Sequence, residues 1–445
     1  MNSAYDPISS SHCQGQHYAP SFWASTIALP EPNPPLQCDL QCDVAIIGGG
    51  FSGLLTAYYL ASEHHLDCAV FEANQVGFGA SARNAGFVLK GSGRLSYPQM
   101  AKKWGMDVCK GIYSEFSQAV SRVESLIQSL DIQCDPQAKG YIKIAHNPQA
   151  FKSLQAQAHF LKTHLSSDAE FISKAQLKSD YMNNHQAYGA LRLPDGFGIN
   201  PLKLLLGYRT MALKAGVKLY ENSLVGDIKE VSSGVELLVN GHTVKAKKLV
   251  ITGNAYNSKN THPAINNRYL PILSSIMVTE PLSERDLVET GLKTNQVTMD
   301  TRTLKYYYRK LPDNRLLFGG RGAIFAKDKD KPAYLNNLKH GLLDCFPTLT
   351  HLKPAFYWHG YIAAALDDMP HVKVEGNIGY ILGYCGAGVS FSAQAAYRLA
   401  QQIGGVSVPP LPLYHTPLPY LPFAQLRRYG QWGYYQYAQF KDRFF

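Results

Sequence analysis

The chain has 445 residues, 45% of them hydrophobic and 17% charged, which is enough apolar material for a sizeable core and a length that suits two domains. Its eight cysteines are scattered with no C-x-x-C pair, which excludes a disulfide framework and suits a reducing compartment, and no low-complexity tract is present. The net charge is +10, and seven acids with no Lys or Arg precede Arg83, so the rest of the chain carries +17; that surplus suits anionic partners, but the basic residues are dispersed and form no nucleic-acid module.

In chain order, residues 1–40 are polar and proline-bearing (APSFWAS, PEPNPP) and read as an extended arm on a domain surface. Val44 to Ile47 is a β-branched run, as expected of a strand buried on both faces of a parallel sheet. Gly48, Gly50 and Gly53 then form G-x-G-x-x-G around Phe51 and Ser52. The first glycine allows the turn, the second lets backbone approach a pyrophosphate, and the third lets the next helix lie close to the strand. Leu54, Leu55, Tyr58, Tyr59 and Leu60 continue at helical spacing, so amides and helix dipole face the anion. Cys68 to Phe71 is the second strand, and Glu72, followed by Ala73, stands about twenty positions after the glycines, where an acid grips a ribose hydroxyl of an adenine dinucleotide.

Beyond this unit, 101–130 and 150–164 read as helices with the strand YIKIAH between them. LPDGFGINPLKLLLGYRTMALKAGVKLYENSLVGDI gives turn, helix and strand, and VELLVN and HTVKAKKLVIT pair through the hairpin turn Asn240-Gly241. Residues 270–350 mix helical and strand character. GNIGYILGYCGAGVSFSAQAAYRLAQQI then repeats the opening order of strand, glycine turn and helix. In the tail LRRYGQWGYYQYAQFKDRFF, Leu426, Tyr429, Tyr437, Phe440 and Phe444 recur at helical spacing with Arg427, Arg428 and Lys441 elsewhere. That pattern fits an amphipathic helix at a membrane interface, and equally a helix docked on the protein's own dinucleotide-binding domain. No stretch is long and apolar enough to span a bilayer and no basic leader is evident, so the expected location is the cytoplasm, with a peripheral position at the inner membrane face left open.

Five collinear stretches carry a family resemblance: VGFGASARNAGFV at 76–88, GINPLKL at 198–204, RLLFGGRG at 315–322, WHGYIAAALDDMP at 358–370 and GYCGAGVSFS at 383–392. With the order of the elements, they resemble the FAD-dependent D-amino-acid oxidase superfamily, and within it the γ-glutamylputrescine oxidase-like amine oxidoreductases. The resemblance implies an α/β fold with an α+β second domain: a Rossmann-like FAD-binding domain of the glutathione-reductase type and a discontinuous substrate domain on a mixed antiparallel sheet. The implied division is an arm at 1–40, the FAD-binding domain at 41–100, 190–262 and 355–410, the substrate domain at 101–189 and 263–354, and a tail helix in 411–445.

In that family the GASxRNxG loop brings backbone to the pyrophosphate and the flavin, which implies Gly79, Ala80, Ser81, Arg83, Asn84, Ala85 and Gly86 here. Small residues let backbone approach a flat cofactor, and Arg83 can balance a diphosphate. Val225, near the end of the KLYENSLVGDI strand, is implied at the adenine, and Thr252, Gly253 and Asn254 beside the pyrophosphate. The turn Cys385, Gly386, Ala387, Gly388 and Val389 opens a helix whose N-terminus would face the flavin N1–C2=O edge and favour the charge of the reduced ring. Relatives with covalent flavin carry a cysteine where Gly360 stands, so non-covalent FAD is expected. The chain also departs from its relatives: Gly-Ala-Gly replaces Gly-His-Gly in the last turn, Ala365 replaces the threonine of T-x-D-x-x-P while Asp367 and Pro370 remain, and Leu317 stands near the place of an oxygen-activating lysine.

The implied reaction is two-electron oxidation of a carbon–nitrogen bond of a small amine or amino acid, with hydride passing to flavin N5 and the imine hydrolysing afterwards. The cofactor does the difficult step, so no triad is needed, and no metal-site spacing appears. Tyr306, Tyr307, Tyr308 and Arg309 read as a strand whose alternate members face the pocket. The candidate catalytic residues are Tyr307, Arg321, which could hold a carboxylate bidentately, and His359, with Tyr361 as an alternative near the flavin. Three readings compete: an FAD amine or amino-acid oxidoreductase using O2, a membrane-associated FAD-dependent dehydrogenase reducing a quinone, and a flavoprotein with a binding or protein-modifying role.

Overall fold

The structure, a computed structural model, describes residues 5–91 and 94–444; residues 1–4, 92–93 and 445 and the side chain of Phe444 lie outside it. The chain opens with α1 (Phe22–Ser25), β1 (Leu40–Ile47), α2 (Phe51–His64), β2 (Cys68–Phe71), β3 (Phe87–Val88), α3 (Tyr97–Trp104) and α4 (Met106–Ser129). It continues through β4 (Tyr141–Ala145), α5 (Pro148–Leu165), β5 (Glu170–Ser173), α6 (Lys174–Asp180), β6 (Gly189–Leu193), β7 (Phe197–Gly198), α7 (Pro201–Lys214), β8 (Lys218–Tyr220), β9 (Val225–Val231), β10 (Gly234–Val239) and β11 (His242–Ile251). Then come β12 (Leu270–Pro281), α8 (Glu284–Thr290), β13 (Val297–Asp300), β14 (Tyr307–Lys310), β15 (Arg315–Arg321), α9 (Pro332–Cys345), β16 (Pro354–Ala364), β17 (His371–Glu375), β18 (Ile378–Leu382), α10 (Gly388–Ile403), α11 (Pro412–His415) and α12 (Arg427–Phe444).

The first sheet runs β17-β18-β11-β1-β2-β8, parallel from β18 to β8, with β17 antiparallel at one edge and the β9–β10 hairpin joined to β11. Val44, Ala45 and Ile46 are all at most 1% exposed, as a strand covered on both faces requires. Val44 and Ile46 join the cluster built by α2, α4, α7 and α10, while Ala45 joins a second cluster with Phe71, Leu249, Ile251 and Tyr361. Phe116 of α4 and Phe391 of α10 bring their rings to 4.5 Å, within the aromatic-pair range.

The second sheet runs β16-β12-β15-β14-β13-β4-β6-β5, antiparallel except for the β13–β4 pair. Its register makes one continuous row across every strand: Phe171, Leu191, Lys143, Met299, Tyr307, Gly319, Ile276 and Trp358. A neighbouring row holds Arg321, Ser274 and Gly360. Directly opposed residues share a face, so these rows form one surface.

Several expectations change. The helix expected over 101–130 is divided at Gly105 into α3 and α4, and α4 packs on α10 in the dinucleotide layer, whereas the expected division places 101–189 in the substrate domain. Strands β6 and β16 pair within the second sheet, whereas the expected division places 190–262 and 355–410 in the FAD-binding domain; hydrogen-bonding partners far along the chain decide sheet membership. Val225 begins β9 instead of lying near the end of a strand from Lys218, since the chain turns between β8 and β9. The arm is more than a surface strap. Trp23 is 2% exposed and donates from Nε1 to the Asn84 carbonyl (2.8 Å), and Asn33 N and Leu36 N donate to Glu221 and Ser223. The Asn240-Gly241 hairpin is as expected, with both residues at positive φ.

Candidate cofactor and substrate cleft

A cleft of about 2670 Å³, part of it open to solvent, is lined by residues of both sheets. Gly48 (φ 102) makes the turn out of β1, and Gly53 lies so close to the Gly48 carbonyl that any side chain there would overlap it. The N-terminus of α2 therefore opens directly above the ends of the parallel strands. Ser81 Oγ accepts from Phe51 N (3.0 Å), while the amides of Gly50 and Ser52 find no acceptor among the described residues. Glu72 is half-buried at this end: one carboxylate oxygen accepts from Gly49 N (2.8 Å) and the other from Asn74 N (3.0 Å). Burial raises its pKa, the two amides act against that, and Glu221 adds to the rise.

The loop at 79–86 is ordered by its own side chains. Asn84 Nδ2 donates to the Ala80 and Ser81 carbonyls, and its Oδ1 accepts from Gly86 N (2.7 Å). Arg83 donates to the Phe78 and His359 carbonyls and stacks over the Phe78 ring at 4.7 Å, so its guanidinium has no carboxylate partner among the described residues. Gly79, Ala80, Ser81, Arg83, Asn84 and Ala85 line the cleft, whereas Gly86 does not; its carbonyl accepts from Ile199 N. Thr252 Oγ1 donates to the Ile47 carbonyl (2.7 Å), which ties the β11 end to the β1 turn. Val225, Ala73, Gly253 and Asn254 also line the cleft.

At the other helix N-terminus, Cys385 (φ 53) and Gly386 (φ 102) turn the chain into α10. Gly388, Val389 and Ser390 carry amides without an acceptor among the described residues, and Cys385, Ala387, Gly388 and Val389 line the cleft. Tyr384 OH pairs with Ser52 Oγ at 2.6 Å, joining the first turn of α2 to the segment that leads into α10. Gly360 lines the cleft with its Cα pressed against Arg83: a Cβ there would sit 3.0 Å from Arg83 Cβ.

These features fit an adenine dinucleotide carrying a flavin. Two helix N-termini with free amides and a half-buried carboxylate with capacity for hydroxyl donors line one cleft. Gly48, Gly50, Phe51, Ser52, Glu72, Ala73, the 79–85 loop, Val225, Thr252–Asn254, Gly360 and Cys385–Val389 are the residues that would hold it.

The remaining wall is the surface of the second sheet. Tyr307 OH pairs with Ser274 Oγ (2.7 Å), and Arg321 stands beside Ser274 with no carboxylate partner among the described residues. His359 lies elsewhere: it alternates to the opposite face, where Nδ1 pairs with Ser275 Oγ (2.8 Å) and Nε2 with Asp330 Oδ1 (3.3 Å), and it does not line the cleft. Burial lowers its pKa to about 4, with Lys329 adding to the fall, so it is neutral there. Tyr361 borders the cleft but its hydroxyl donates to the Tyr5 carbonyl. Tyr308 and Arg309 turn away from it, to Asn184 and to the Ala85 and Ile199 carbonyls. Leu317 is buried and does not line the cleft. Sequence reasoning missed Lys90, Arg94, Lys143, Lys305, Gln157 and Asn257, which all line it. Only Lys143 had a local signal, alternating with Ile142 and Ile144 in YIKIA.

The family model described as FAD dependent oxidoreductase (DAO) matches residues 43–402. The gamma-glutamylputrescine oxidoreductase of Escherichia coli K12 is 31% identical over 86% of this chain and 89% of its own length, and the probable oxidoreductase OrdL of Haemophilus influenzae is 30% identical over 84% and 85%. The glycine oxidase of Geobacillus kaustophilus shares the fold, with a TM-score of 0.71 at 20% identity, covering 85% of this chain and 99% of that one. With this match, and a cleft whose helix termini and half-buried acid suit the dinucleotide, the chain belongs to the DAO family of FAD-dependent oxidoreductases.

Proposed function

We propose that the protein oxidises a C–N bond of a small amine or amino acid with non-covalently bound FAD as the two-electron acceptor. The observation that carries this reading is the continuity of one cleft, from the two helix N-termini to the sheet face bearing Tyr307 and Arg321. The relatives named gamma-glutamylputrescine oxidoreductase and glycine oxidase support the substrate class. When bound, FAD supplies the acceptor for the hydride from the carbon next to nitrogen. Arg321 would take a substrate carboxylate through its two-pronged guanidinium, beside Ser274 and Gly360. Tyr307, fixed by Ser274, would position the amine. The cationic, largely apolar wall disfavours an ammonium ion, so the amine binds with its lone pair free; the imine formed is hydrolysed by water to a carbonyl compound and an amine.

Gly360, wedged against Arg83, supports the absence of a covalent flavin link. The purified protein is expected to be yellow, to release FAD on acid precipitation, and to bleach anaerobically with a member of a panel of amines and amino acids. Flavin retained by the precipitated chain overturns the non-covalent assignment, and a flavin that no amine bleaches overturns the reaction. A second reading has electrons leave to a membrane quinone; the outward aromatic face of α12 favours it, with Tyr429, Trp432, Tyr437 and Phe440 all more than half exposed.

A further inference from the structure

The substrate end of the cleft is unusually cationic for a buried wall. Lys90, Arg94, Lys143, Lys305 and Arg321 all line it, and among the described lining residues the single acid, Glu72, lies on the cofactor side with Gly49. Lys90 and Arg94 are already paired, with Asp195 (2.5 Å) and Asp368 (3.0 Å). Lys143 and Arg321 have no carboxylate within ion-pair distance among the described residues. Lys143 donates only to a neutral oxygen, Gln157 Oε1, at 3.3 Å. It stands in the row Leu191, Lys143, Met299 and Tyr307, so a half-buried cation is set among apolar neighbours on the same face as the proposed amine position.

Burial costs such a cation several kcal/mol unless an anion meets it. Burial alone brings the Lys143 pKa down to about 8, and burial, Lys143, Arg321 and Arg94 together bring that of Lys305 to about 7. The Lys305 ammonium is thus within electrostatic reach of both Lys143 and Arg321. Lys143 and Arg321 are three strand spacings and one row apart, about 16 Å at the backbone before the two long side chains narrow the gap.

We infer that Lys143, with Lys305 and Gln157, forms a second anion subsite, so that the preferred substrate is an amine bearing two carboxylates, one taken by Arg321 and the distal one by this group. This rests on the amine-oxidoreductase reading and narrows it to dianionic amines. A distal carboxylate converts a half-buried cation that lacks a carboxylate partner among the described residues into a charge-assisted pair, a gain that a monocarboxylate cannot make.

The test uses the FAD-loaded protein and two unreactive probes, glutarate and butyrate, titrated against the visible flavin spectrum. The expected result is glutarate binding at least tenfold tighter than butyrate in the parent, a ratio that falls close to one in Lys143→Met and returns in Lys143→Arg. Anaerobic bleaching should show the same order, with amino dicarboxylates ahead of amino monocarboxylates of equal length. Equal binding of the two probes by the parent, or a ratio unchanged in Lys143→Met with its FAD spectrum intact, overturns the subsite. If no amine bleaches the flavin while the glutarate preference holds, the reaction fails and the subsite stands, so the two failures are told apart. Should Lys143→Met not fold, Gln157→Leu, which removes the other polar partner at the same position, is read by the same ratio.

Discussion

Glu72 shows how one side chain serves both the protein and its ligand. Its carboxylate is held by the amides of Gly49 and Asn74, so its orientation is set before any nucleotide arrives, and its remaining lone pairs would be open to hydroxyl hydrogens of a ribose. Removing a charged acceptor from a half-buried position costs about 1.5–3 kcal/mol of binding, or roughly 10- to 150-fold in affinity. Glu72→Ala is therefore expected to lose FAD on gel filtration and to rebind it that much more weakly in apoprotein titrations. Retention equal to the parent would mean that the acid does not touch the cofactor. Glu72 was legible because strand, turn, helix and strand are contiguous and set its distance from the glycines. His359 was not, because its side of the sheet depends on pairing with Ser275 of β12, over eighty residues earlier.

The strand–turn–helix unit from β18 to α10 is a local element with a distant partner. Its first turn carries free amides, and Tyr384 just before it reaches Ser52 at the start of α2, so one hydrogen bond joins the start of α2 to the segment that leads into α10. A Cβ on Gly388 would lie 3.3 Å from the Tyr384 ring, tight enough to push that ring and loosen the link. Gly388→Val is expected to weaken FAD binding about tenfold, or ~1.4 kcal/mol, to lower the flavin potential and to slow reduction by substrate. Apoprotein titration, spectroelectrochemistry and stopped-flow reduction read these three effects; a variant matching the parent in all of them removes the turn from the cofactor site. In the sequence this element was plain, as its period switches from strand to helix across glycines, while the Tyr384–Ser52 link was invisible.

Over the whole molecule, the tail ties the two ends of the chain together. Arg428 pairs with Asp6 at 2.8 Å and donates to the Pro271 carbonyl, Gln431, Tyr435 and Ala438 are buried beside it, and Asp442 accepts from Thr303 N and Leu304 N, just before the cleft residue Lys305. Tyr434 accepts from Arg94, another cleft residue. The helix thus docks through its polar and small residues, and the aromatic stripe of the sequence, with Phe444 outside the described side chains, faces outward. No described helix is long and apolar enough to cross a membrane. On the quinone reading this face, flanked by Lys441, rests on an anionic bilayer, to which each nearby Lys or Arg adds about 1 kcal/mol. Co-sedimentation with phosphatidylglycerol-containing vesicles, weaker with phosphatidylcholine alone and lost in Tyr429→Ser/Trp432→Ser, is the expected outcome. Absence of sedimentation on either lipid sinks the membrane reading and leaves the oxidoreductase untouched.

The sequence by itself determined the dinucleotide unit, the helix that opens at Gly388, the hairpin at Asn240-Gly241 and the family, because each is written in contacts between neighbours along the chain, where periodicity and glycine placement report structure directly. Only the tertiary structure decided which residues share the cleft. The row from Leu191 through Lys143, Met299 and Tyr307 to Trp358 draws on segments more than two hundred residues apart, and a shift of one residue in any strand would turn its side chains to the other face. The same holds for the tail: its spacing announced an amphipathic helix, but which stripe is buried was settled by Asp6, Pro271 and the 303–304 turn, whose polar groups pair with Arg428 and Asp442.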